Sequence, residues 1–131
     1  MLLNDFFVIN KIETNGFEIK SELVLYSDHK LFQGHFPNLP VVPGVCMMQM
    51  IKEILEVGTK KNTNLIEAVE MKFLAIIDPG RLNNLQAILK YVYEENSKIR
   101  VTATLINGGT TYFKFKGLFE FHEPQNRSES K

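Results

Sequence analysis

The chain of 131 residues carries 15 basic and 15 acidic side chains, so its formal net charge at pH 7 is zero. That length is typical of one domain, and a balanced charge gives no reason to expect a nucleic-acid partner, whose affinity would depend on clustered lysines and arginines. Hydrophobic residues make up 44% and charged residues 23%, the composition of a globular protein that can bury a core without disulfides.

The compartment predicted for the chain follows from its single cysteine and its apolar runs. Cys46 has no possible intrachain disulfide partner, which fits a reducing cytoplasm, and its apolar neighbours predict a small buried core residue. No apolar run approaches the roughly 20 residues that span a bilayer, and the start, MLLNDFFVIN, lacks the basic residues of a signal peptide. We expect a cytoplasmic protein with no membrane span.

Apolar residues that alternate with polar ones predict five strands. The odd positions of residues 17–26 are apolar apart from Ser21. The letters DPG at 78–80 predict a turn, and NGG at 107–109 is a strong hairpin signal. We therefore expect the last four strands to follow one another as hairpins. The alternation of apolar and polar residues predicts these last four strands over 65–77, 85–94, 99–105 and 112–122.

One segment breaks this rhythm and predicts a single long helix. In residues 45–57, apolar side chains recur three or four positions apart, as on one face of a helix. The helix is predicted to start near Pro43 or Gly44, where proline is tolerated, to run for about 15 residues or roughly 22 Å, and to stop at Gly58. Its wide, methionine-rich stripe predicts a helix largely enclosed by the sheet, hence an α+β fold.

The densest chemical signal is the segment GHFPNLPVVPG at 34–44. Its prolines make a stiff loop that leads into the helix N-terminus, where unpaired N–H groups and the positive end of the helix dipole can bind an oxyanion or a polarised carbonyl. Gly44 lets a substrate approach the backbone closely. His35 is the only titratable residue in the loop, and an imidazole can take a proton from a carbon acid near neutral pH. His29 and His122 are expected to be structural or exposed.

The segment GHFPNLPVVPGV resembles the signature GHFPxxPxxPGV of the 3-hydroxyacyl-acyl-carrier-protein dehydratases, and MKFLAIIDPGRL is similar to that family's KFxxxVxPGDxL. The resemblance implies a hotdog fold, in which an antiparallel sheet wraps around one long central helix. We expect one such domain over residues 1–122, followed by a polar, flexible tail at 123–131. The first match covers His35, Phe36, Pro37, Pro40, Pro43, Gly44 and Val45 at the family's spacing.

The resemblance also implies a role for each residue of the site. The family's motif histidine, here His35, removes the α-proton of a (3R)-3-hydroxyacyl thioester. The backbone N–H at the helix start, here Gly44, holds the thioester carbonyl, and Phe36 and Val45 are expected to bind the substrate as well. An acidic residue on the helix of the partner subunit protonates the departing hydroxyl. The resemblance therefore implies a homodimer at minimum, with a trimer of dimers or a heteromer with a homologue as alternatives.

The chain departs from the family pattern at this acid. Gln49 occupies the acidic position, and an amide cannot donate a proton and return as a stable base at neutral pH. Where a typical dehydratase has a glutamine four positions further on, this chain has Glu53, on the same helix face. We predict that Glu53 shares the acid's work through Gln49 or through a water. The alternative is a solvated carboxylate beside Lys52 and Glu56.

Three functions therefore stay open. The first is dehydration of (3R)-3-hydroxyacyl thioesters on acyl carrier protein to trans-2-enoyl thioesters, in fatty-acid or related lipid or polyene synthesis. The second is another hotdog reaction on acyl thioesters, such as a thioesterase in which Glu53 directs water at the carbonyl. The third is a non-catalytic pseudo-dehydratase that binds acyl thioesters or pairs with an active homologue.

The expected partner of the first function is acyl carrier protein. This protein is acidic, so the resemblance implies basic residues near the site. No cofactor is expected, and three scattered histidines with one cysteine give no metal-ligand spacing. The basic candidates are Lys60, Lys61, Lys72, Arg81 and Lys90.

Overall fold

The computed structural model describes residues 2–26 and 41–122. Its elements are β1 (Phe7–Asn15), β2 (Glu18–Leu25), α1 (Gly44–Thr59), β3 (Asn62–Phe73), β4 (Asn84–Glu94), β5 (Lys98–Asn107) and β6 (Thr110–His122). The strands form one antiparallel sheet in the order β1-β2-β4-β5-β6-β3, and α1 packs its apolar side on one face of this sheet. The predicted helix and the predicted strands are confirmed, whereas the predicted tail lies outside the described residues.

Alternation along the strands decides which side chains face α1. In β2, Ile19 and Leu23 are buried, and Ser21 between them is buried as well. The polar residue therefore interrupts the apolar pattern without changing which face points inward. On β6, Phe115 and Phe119 fill the same core. Each such large apolar side chain contributes roughly 1.5–3 kcal/mol when it is fully buried, so this face accounts for much of the sheet's stability.

The sequence pattern did not predict β1, which is the first strand of the sheet. The pairing of β1 with β2 shifts register between Ile9 and Lys11, which leaves Asn10 as a bulge. Because of this bulge, Ile9 and Ile12 both pack against the core although they are three positions apart. The extra residue breaks the period of two on which the prediction depended.

The predicted series of hairpins is wrong between β3 and β4. The strand β3 pairs with β6, at the far edge of the sheet, and β4 pairs with β2 and β5. The predicted turn is present, because the Gly80 N–H donates to Oδ1 of Asp78 at 2.9 Å, but it belongs to a connection that crosses between distant strands. The predicted hairpin between β5 and β6 is confirmed, with Gly108 at a φ of 57°.

The backbone conformation differs between the two ends of α1. Pro43 precedes the helix in an extended conformation, and none of the side chains that the structure describes caps this end. The predicted stop at Gly58 is wrong, because the helix continues to Thr59 and Lys60 then takes the left-handed conformation. Gly58 lies inside the helix where the side chain of Ile19 occupies the space that a Cβ would need. Close helix–sheet packing, rather than termination, explains this glycine.

The outer edge of the sheet at β3 is apolar and exposed. Leu65, Met71 and Phe73 each pair with a buried phenylalanine of β6, so they lie on the same face of the sheet as α1. Even so, 39% of Leu65, 39% of Met71 and 52% of Phe73 is exposed. The bulge residues Ile66 and Val69 are also exposed. The helix therefore leaves this edge of the sheet uncovered.

Within residues 2–26 and 41–122, no helix combines the length and the apolar character needed to cross a bilayer.

Candidate functional site

The start of α1 is the best-defined end of the candidate site. The N–H groups of Cys46 and Met47 donate to the carbonyl of Pro43, at 3.0 and 3.2 Å. The N–H groups of Gly44 and Val45 come before them, and no described side chain caps the helix or places an acid in its first turn. The positive end of the helix dipole adds to these donors. This end of the helix can therefore stabilise a negatively charged or polarised oxygen.

Phe73, the last residue of β3, packs directly on Gly44. A Cβ at Gly44 would lie 2.8 Å from Cε1 and Cζ of the Phe73 ring, which is closer than side-chain atoms normally approach. The Phe73 ring also stacks on Phe113, with the two ring centroids 5.0 Å apart and 26° between the ring planes. A side chain at position 44 would therefore force the Phe73 ring to shift. The sequence interpretation missed Phe73 as a site residue, although it lies within the second family-like segment.

An apolar cavity of about 440 Å³ opens beside the same glycine. Its walls are fixed by backbone hydrogen bonds, from the Val42 N–H to the Ile77 carbonyl at 2.9 Å and from the Leu74 N–H to the Tyr112 carbonyl at 2.9 Å. Among the described residues that line it, none is charged or polar, so this part of the cavity suits an alkyl chain rather than a polar ligand. The lining residues are Val41, Val42, Gly44, Met47, Phe73, Leu74, Ala75 and Ile76.

Only part of the predicted site is gathered around this cavity. Gly44 lines it, whereas 76% of Val45 is exposed on the outward side of the helix. The predicted base His35 and the predicted binding residue Phe36 lie outside the described residues. Their roles therefore stay predictions.

The predicted contact between Gln49 and Glu53 is present. Nε2 of Gln49 donates to Oε2 of Glu53 at 2.7 Å. Only 2% of Glu53 is exposed, so the alternative of a solvated carboxylate is wrong. Lys52 pairs with Glu56 instead, at 3.1 Å. Whether Glu53 takes part in proton transfer stays a prediction.

Glu53 has further partners that the sequence did not suggest. The Leu2 N–H donates to both carboxylate oxygens, at 3.0 and 2.8 Å, and the Leu3 N–H donates to Oε1 at 2.7 Å. These donors are backbone N–H groups about 50 residues away in the chain. The residue types at these positions do not predict such a contact, because the donor is the backbone and not the side chain. Together they tie the N-terminus of the chain to the middle of α1.

The cavity and the Gln49–Glu53 pair lie on nearly opposite sides of α1. Five positions separate Gly44 from Gln49, and at about 100° per residue this separation turns the side-chain direction by about 140°. Gly44 faces β3 through the contact with Phe73, and Glu53 faces the N-terminal residues. A single chain therefore does not bring Gln49 to its own cavity.

The five basic candidates differ in their distance from the cavity. Lys60 and Lys61 follow the far end of α1, and the helix separates Lys60 from Gly44 by roughly 24 Å at 1.5 Å per residue. Arg81 lies in the connection after the cavity wall, and 89% of its side chain is exposed. Lys72 and Lys90 are near glutamates of the sheet. Of the five, Lys72 is nearest to the cavity along the chain because it precedes the lining residue Phe73, and Arg81 follows the lining residue Ile76 by five positions.

Three remaining predictions concern isolated side chains. Cys46 is buried, and burial raises the pKa of its thiol, so its predicted place in the core is confirmed. His122 is exposed at the end of β6, and His29 lies outside the described residues. Among the residues that the structure describes, no group of three or more histidine, cysteine, aspartate or glutamate side chains could hold a metal ion.

Comparison with known proteins gives relatives for both the sequence and the fold. The chain is 29% identical over 97 residues to the 3-hydroxyacyl-[acyl-carrier-protein] dehydratase FabZ of Rickettsia akari, which covers 68% of this chain and 67% of that protein. In the dehydratase heterocomplex ApeI:P of Xenorhabdus doucetiae, a chain superposes with a TM-score of 0.62 at 20% identity, over 85% of this chain and 96% of that one. A thioesterase of Staphylococcus aureus superposes with a TM-score of 0.64 at 8% identity, over 90% and 93%.

The two structural likenesses have low identities and bear on the fold alone, which they confirm as the hotdog fold with its antiparallel sheet and long helix. A match to a family model identifies the family, which the structural likenesses do not. The model described as ApeI-like, ApeI dehydratase, matches residues 11–111, which is most of the chain. The chain therefore belongs to the ApeI-like dehydratase family.

Proposed function

We propose that this chain dehydrates (3R)-3-hydroxyacyl thioesters on acyl carrier protein to trans-2-enoyl thioesters, in the cytoplasmic synthesis of fatty acids or related lipids or polyenes. The observation that carries this proposal is the apolar cavity of about 440 Å³ beside the uncapped start of α1 at Gly44. Membership of a dehydratase family and the similarity to a 3-hydroxyacyl-acyl-carrier-protein dehydratase support the same reaction class.

The chemistry assigns one part of the substrate to each feature. The alkyl chain occupies the cavity, and the thioester carbonyl accepts from the Gly44 N–H beside Val45, where donors and dipole stabilise an enolate-like charge. His35 takes the proton from the α-carbon, with Phe36 against the substrate. The C–O bond to the 3-hydroxyl then breaks, and the hydroxyl leaves as water when the His35 imidazolium returns the proton.

The site is proposed to combine two chains. Gln49 and the cavity lie on opposite sides of α1, so Gln49 of one chain would face the cavity of another. The apolar exposed edge at β3, where Val69 and Met71 lie, supports pairing between two copies, because an unpaired edge strand is a ready template for another strand. A homodimer is the simplest assembly, and a trimer of dimers or a pair with a homologue would be distinguished by mass.

Acyl carrier protein is proposed to approach at the cavity mouth. Lys72, next to Phe73, and Arg81, five positions after Ile76, are exposed cations near the cavity wall, and positive groups there would attract an acidic carrier. The loose ion pair between Nε of Arg81 and Oδ2 of Asp78, three positions earlier in the chain and 3.8 Å away, leaves the Arg81 side chain mostly in solvent. Lys60 and Lys61 lie at the other end of α1 and are not part of this proposal.

A second candidate function is that of a non-catalytic partner. The observation that favours it is Gln49, because an amide at the acidic position cannot protonate the departing hydroxyl. Such a chain would bind acyl thioesters and pair with a catalytic homologue. No observation favours the thioesterase, since the oxygens of Glu53 already accept from Leu2, Leu3 and Gln49.

The test is a dehydration assay on the full chain. Purified protein is incubated with (3R)-3-hydroxyacyl thioesters of pantetheine and of acyl carrier protein, and the enoyl absorbance is followed in both directions. We expect turnover that falls by roughly 100-fold or more in His35→Ala, in line with the loss of a general base. The matched control His122→Ala should leave the rate unchanged. Absence of turnover at every chain length, beside an active dehydratase in the same mixture, overturns the proposal.

The variant Gln49→Glu separates the two candidates. If the wild-type chain is silent and Gln49→Glu creates dehydration, the natural protein is the non-catalytic partner. If Gln49→Glu lowers an existing rate, the amide belongs to a working site and the dehydratase proposal stands.

A further inference from the structure

Glu53 is a buried carboxylate whose partners among the described residues are all hydrogen-bond donors. They are the backbone N–H groups of Leu2 and Leu3 and the side-chain amide nitrogen of Gln49. With 2% of its surface exposed, the group depends on these donors, because a charge removed from water needs hydrogen bonds to replace its hydration. The oxygens of Glu53 are thus engaged in holding other groups.

This arrangement fixes which way the amide of Gln49 points. A carboxylate only accepts hydrogen bonds, so Gln49 has to present its nitrogen to Glu53 and turn Oε1 away. A glutamine with mixed partners can be placed in either orientation. Because Glu53 only accepts hydrogen bonds, only one orientation of the Gln49 amide is possible here. The half-buried Gln49 therefore presents its oxygen, a hydrogen-bond acceptor, on the side away from Glu53.

The N-terminal donors are themselves held in a rigid turn, which we call the N-terminal turn (residues 2–6). The N–H groups of Asp5 and Phe6 donate to the Leu2 carbonyl, at 3.0 and 2.7 Å, and the Asn4 N–H donates to the Phe7 carbonyl at 2.7 Å. Phe6 is fully buried in the core. The turn is therefore anchored independently of Glu53 and presents two adjacent N–H groups to it.

We propose that Glu53 is a positioning residue: the N-terminal turn holds Glu53, and Glu53 holds the Gln49 amide so that its oxygen is presented to the 3-hydroxyl of the substrate. An oxygen at this place accepts the hydroxyl hydrogen and orients the C–O bond that breaks, but it gives no proton. Only this last contact rests on the function proposed above. The hold of the turn on Glu53, and of Glu53 on Gln49, is independent of turnover.

The hold on Gln49 is measured by NMR on the full chain. The side-chain amide protons of Gln49 are assigned in a proton–nitrogen correlation spectrum by their disappearance in Gln49→Ala. We expect one of them to be shifted downfield and slow to exchange in the wild type, and to return to the position of a solvated amide in Glu53→Gln. The matched control is Glu56→Gln, on the same helix, whose carboxylate binds Thr63 and Lys52. An unchanged Gln49 signal in Glu53→Gln overturns the proposal.

Two further variants keep this test decisive if Glu53→Gln does not fold. Glu53→Asp retains the charge but shortens the side chain, so the same Gln49 signal should be lost. Leu2→Pro removes one N–H donor and should move the signal in the same direction, whereas Leu2→Ala should not. A signal that stays in place in both Glu53→Asp and Leu2→Pro contradicts the coupling.

The contact with substrate is tested by a double-mutant cycle in kcat/KM. Glu53→Gln should lower kcat/KM by roughly tenfold in the wild-type background, the size of one good hydrogen bond, and should have no further effect in Gln49→Ala. A merely structural residue would lower it equally in both backgrounds, which contradicts the positioning role. If the wild-type chain shows no turnover, the proposed function fails, and the NMR result alone decides whether Glu53 positions Gln49.

Discussion

At one edge of the sheet, β1 exposes polar side chains such as Asn10, Lys11 and Glu13, and its isoleucines pack against the core. At the other edge, β3 exposes apolar side chains such as Val69 and Met71. Edge strands that must stay unpaired usually carry charges, whereas an exposed apolar patch marks a surface that binds something. The difference is the one that the proposed pairing of two copies along β3 would require.

The two sides of α1 repeat this contrast. On the side of the N-terminal turn, Glu53 is saturated by hydrogen bonds from its own chain. On the side of β3, the apolar cavity and the uncapped helix start at Gly44 have no such partners among the described side chains. On the Glu53 side of α1, the buried carboxylate is thus hydrogen-bonded by groups of the same chain. The other side has the features needed for a substrate and a second subunit.

The largest expected effect comes from placing a charge on the β3 edge. If β3 pairs between two copies, Met71→Lys buries an unpaired ammonium and should weaken the homodimer by at least about 100-fold, or ~2.7 kcal/mol. The matched control Thr14→Lys puts the same charge on the β1 edge and should leave the assembly unchanged. Sedimentation velocity over a range of protein concentrations measures both. Equal masses for the two variants would remove the distinction between the edges.

A smaller effect is expected where the β3 edge meets the helix. In Gly44→Ala the new Cβ would lie 2.8 Å from the Phe73 ring, and overpacking of this kind costs roughly 1–3 kcal/mol. This cost should exceed the helix propensity that alanine gains, so thermal unfolding should occur at a lower temperature. The control Gly109→Ala has no atom within 4 Å of its new Cβ and should unfold like the wild type.

The double variant Gly44→Ala with Phe73→Leu sharpens this prediction. A leucine leaves room for the new Cβ, so the two changes together should be less destabilising than the sum of the single changes. Strict additivity would mean that the ring and the glycine do not constrain each other.

The elements of the fold were largely predictable from periodicity, and the exceptions have physical causes. In β2, β4, β5 and β6 the buried residues alternate regularly, and even Ser21 sits on the inward face of β2, whereas β3 carries two bulges. In β1 the bulge at Asn10 moves Ile12 onto the face of Ile9, so the alternation fails there. The pairing of β3 with β6 was not predictable, because a turn at 78–80 fixes local geometry and says nothing about which distant strand becomes the neighbour.

The candidate site was likewise predictable only in part. The contact between Gln49 and Glu53 follows from their spacing of four on a helix, which is a local rule. The hydrogen bonds from Leu2 and Leu3 to Glu53 do not follow from a local rule, since they join backbone donors to a side chain about 50 residues away. The packing of Phe73 on Gly44 also depends on the crossing of β3 over the helix start, which only the complete sheet determines.

The smallest expected effect concerns two buried hydroxyls, one beside each edge. Thr63, at the start of β3, donates its hydroxyl to Glu56 at 3.1 Å, whereas the Ser21 hydroxyl, on the strand next to β1, is buried without a hydrogen-bond partner among the residues that the structure describes. Because an unsatisfied buried hydroxyl costs about 1 kcal/mol or more, Ser21→Ala should raise the free energy of unfolding in urea slightly, and Thr63→Val should lower it by about 1 kcal/mol. Both are measured at one protein concentration, since assembly shifts apparent stability. A loss of stability in Ser21→Ala would mean that this hydroxyl has a partner, and that the β1 side of the core is as fully hydrogen-bonded as the β3 side.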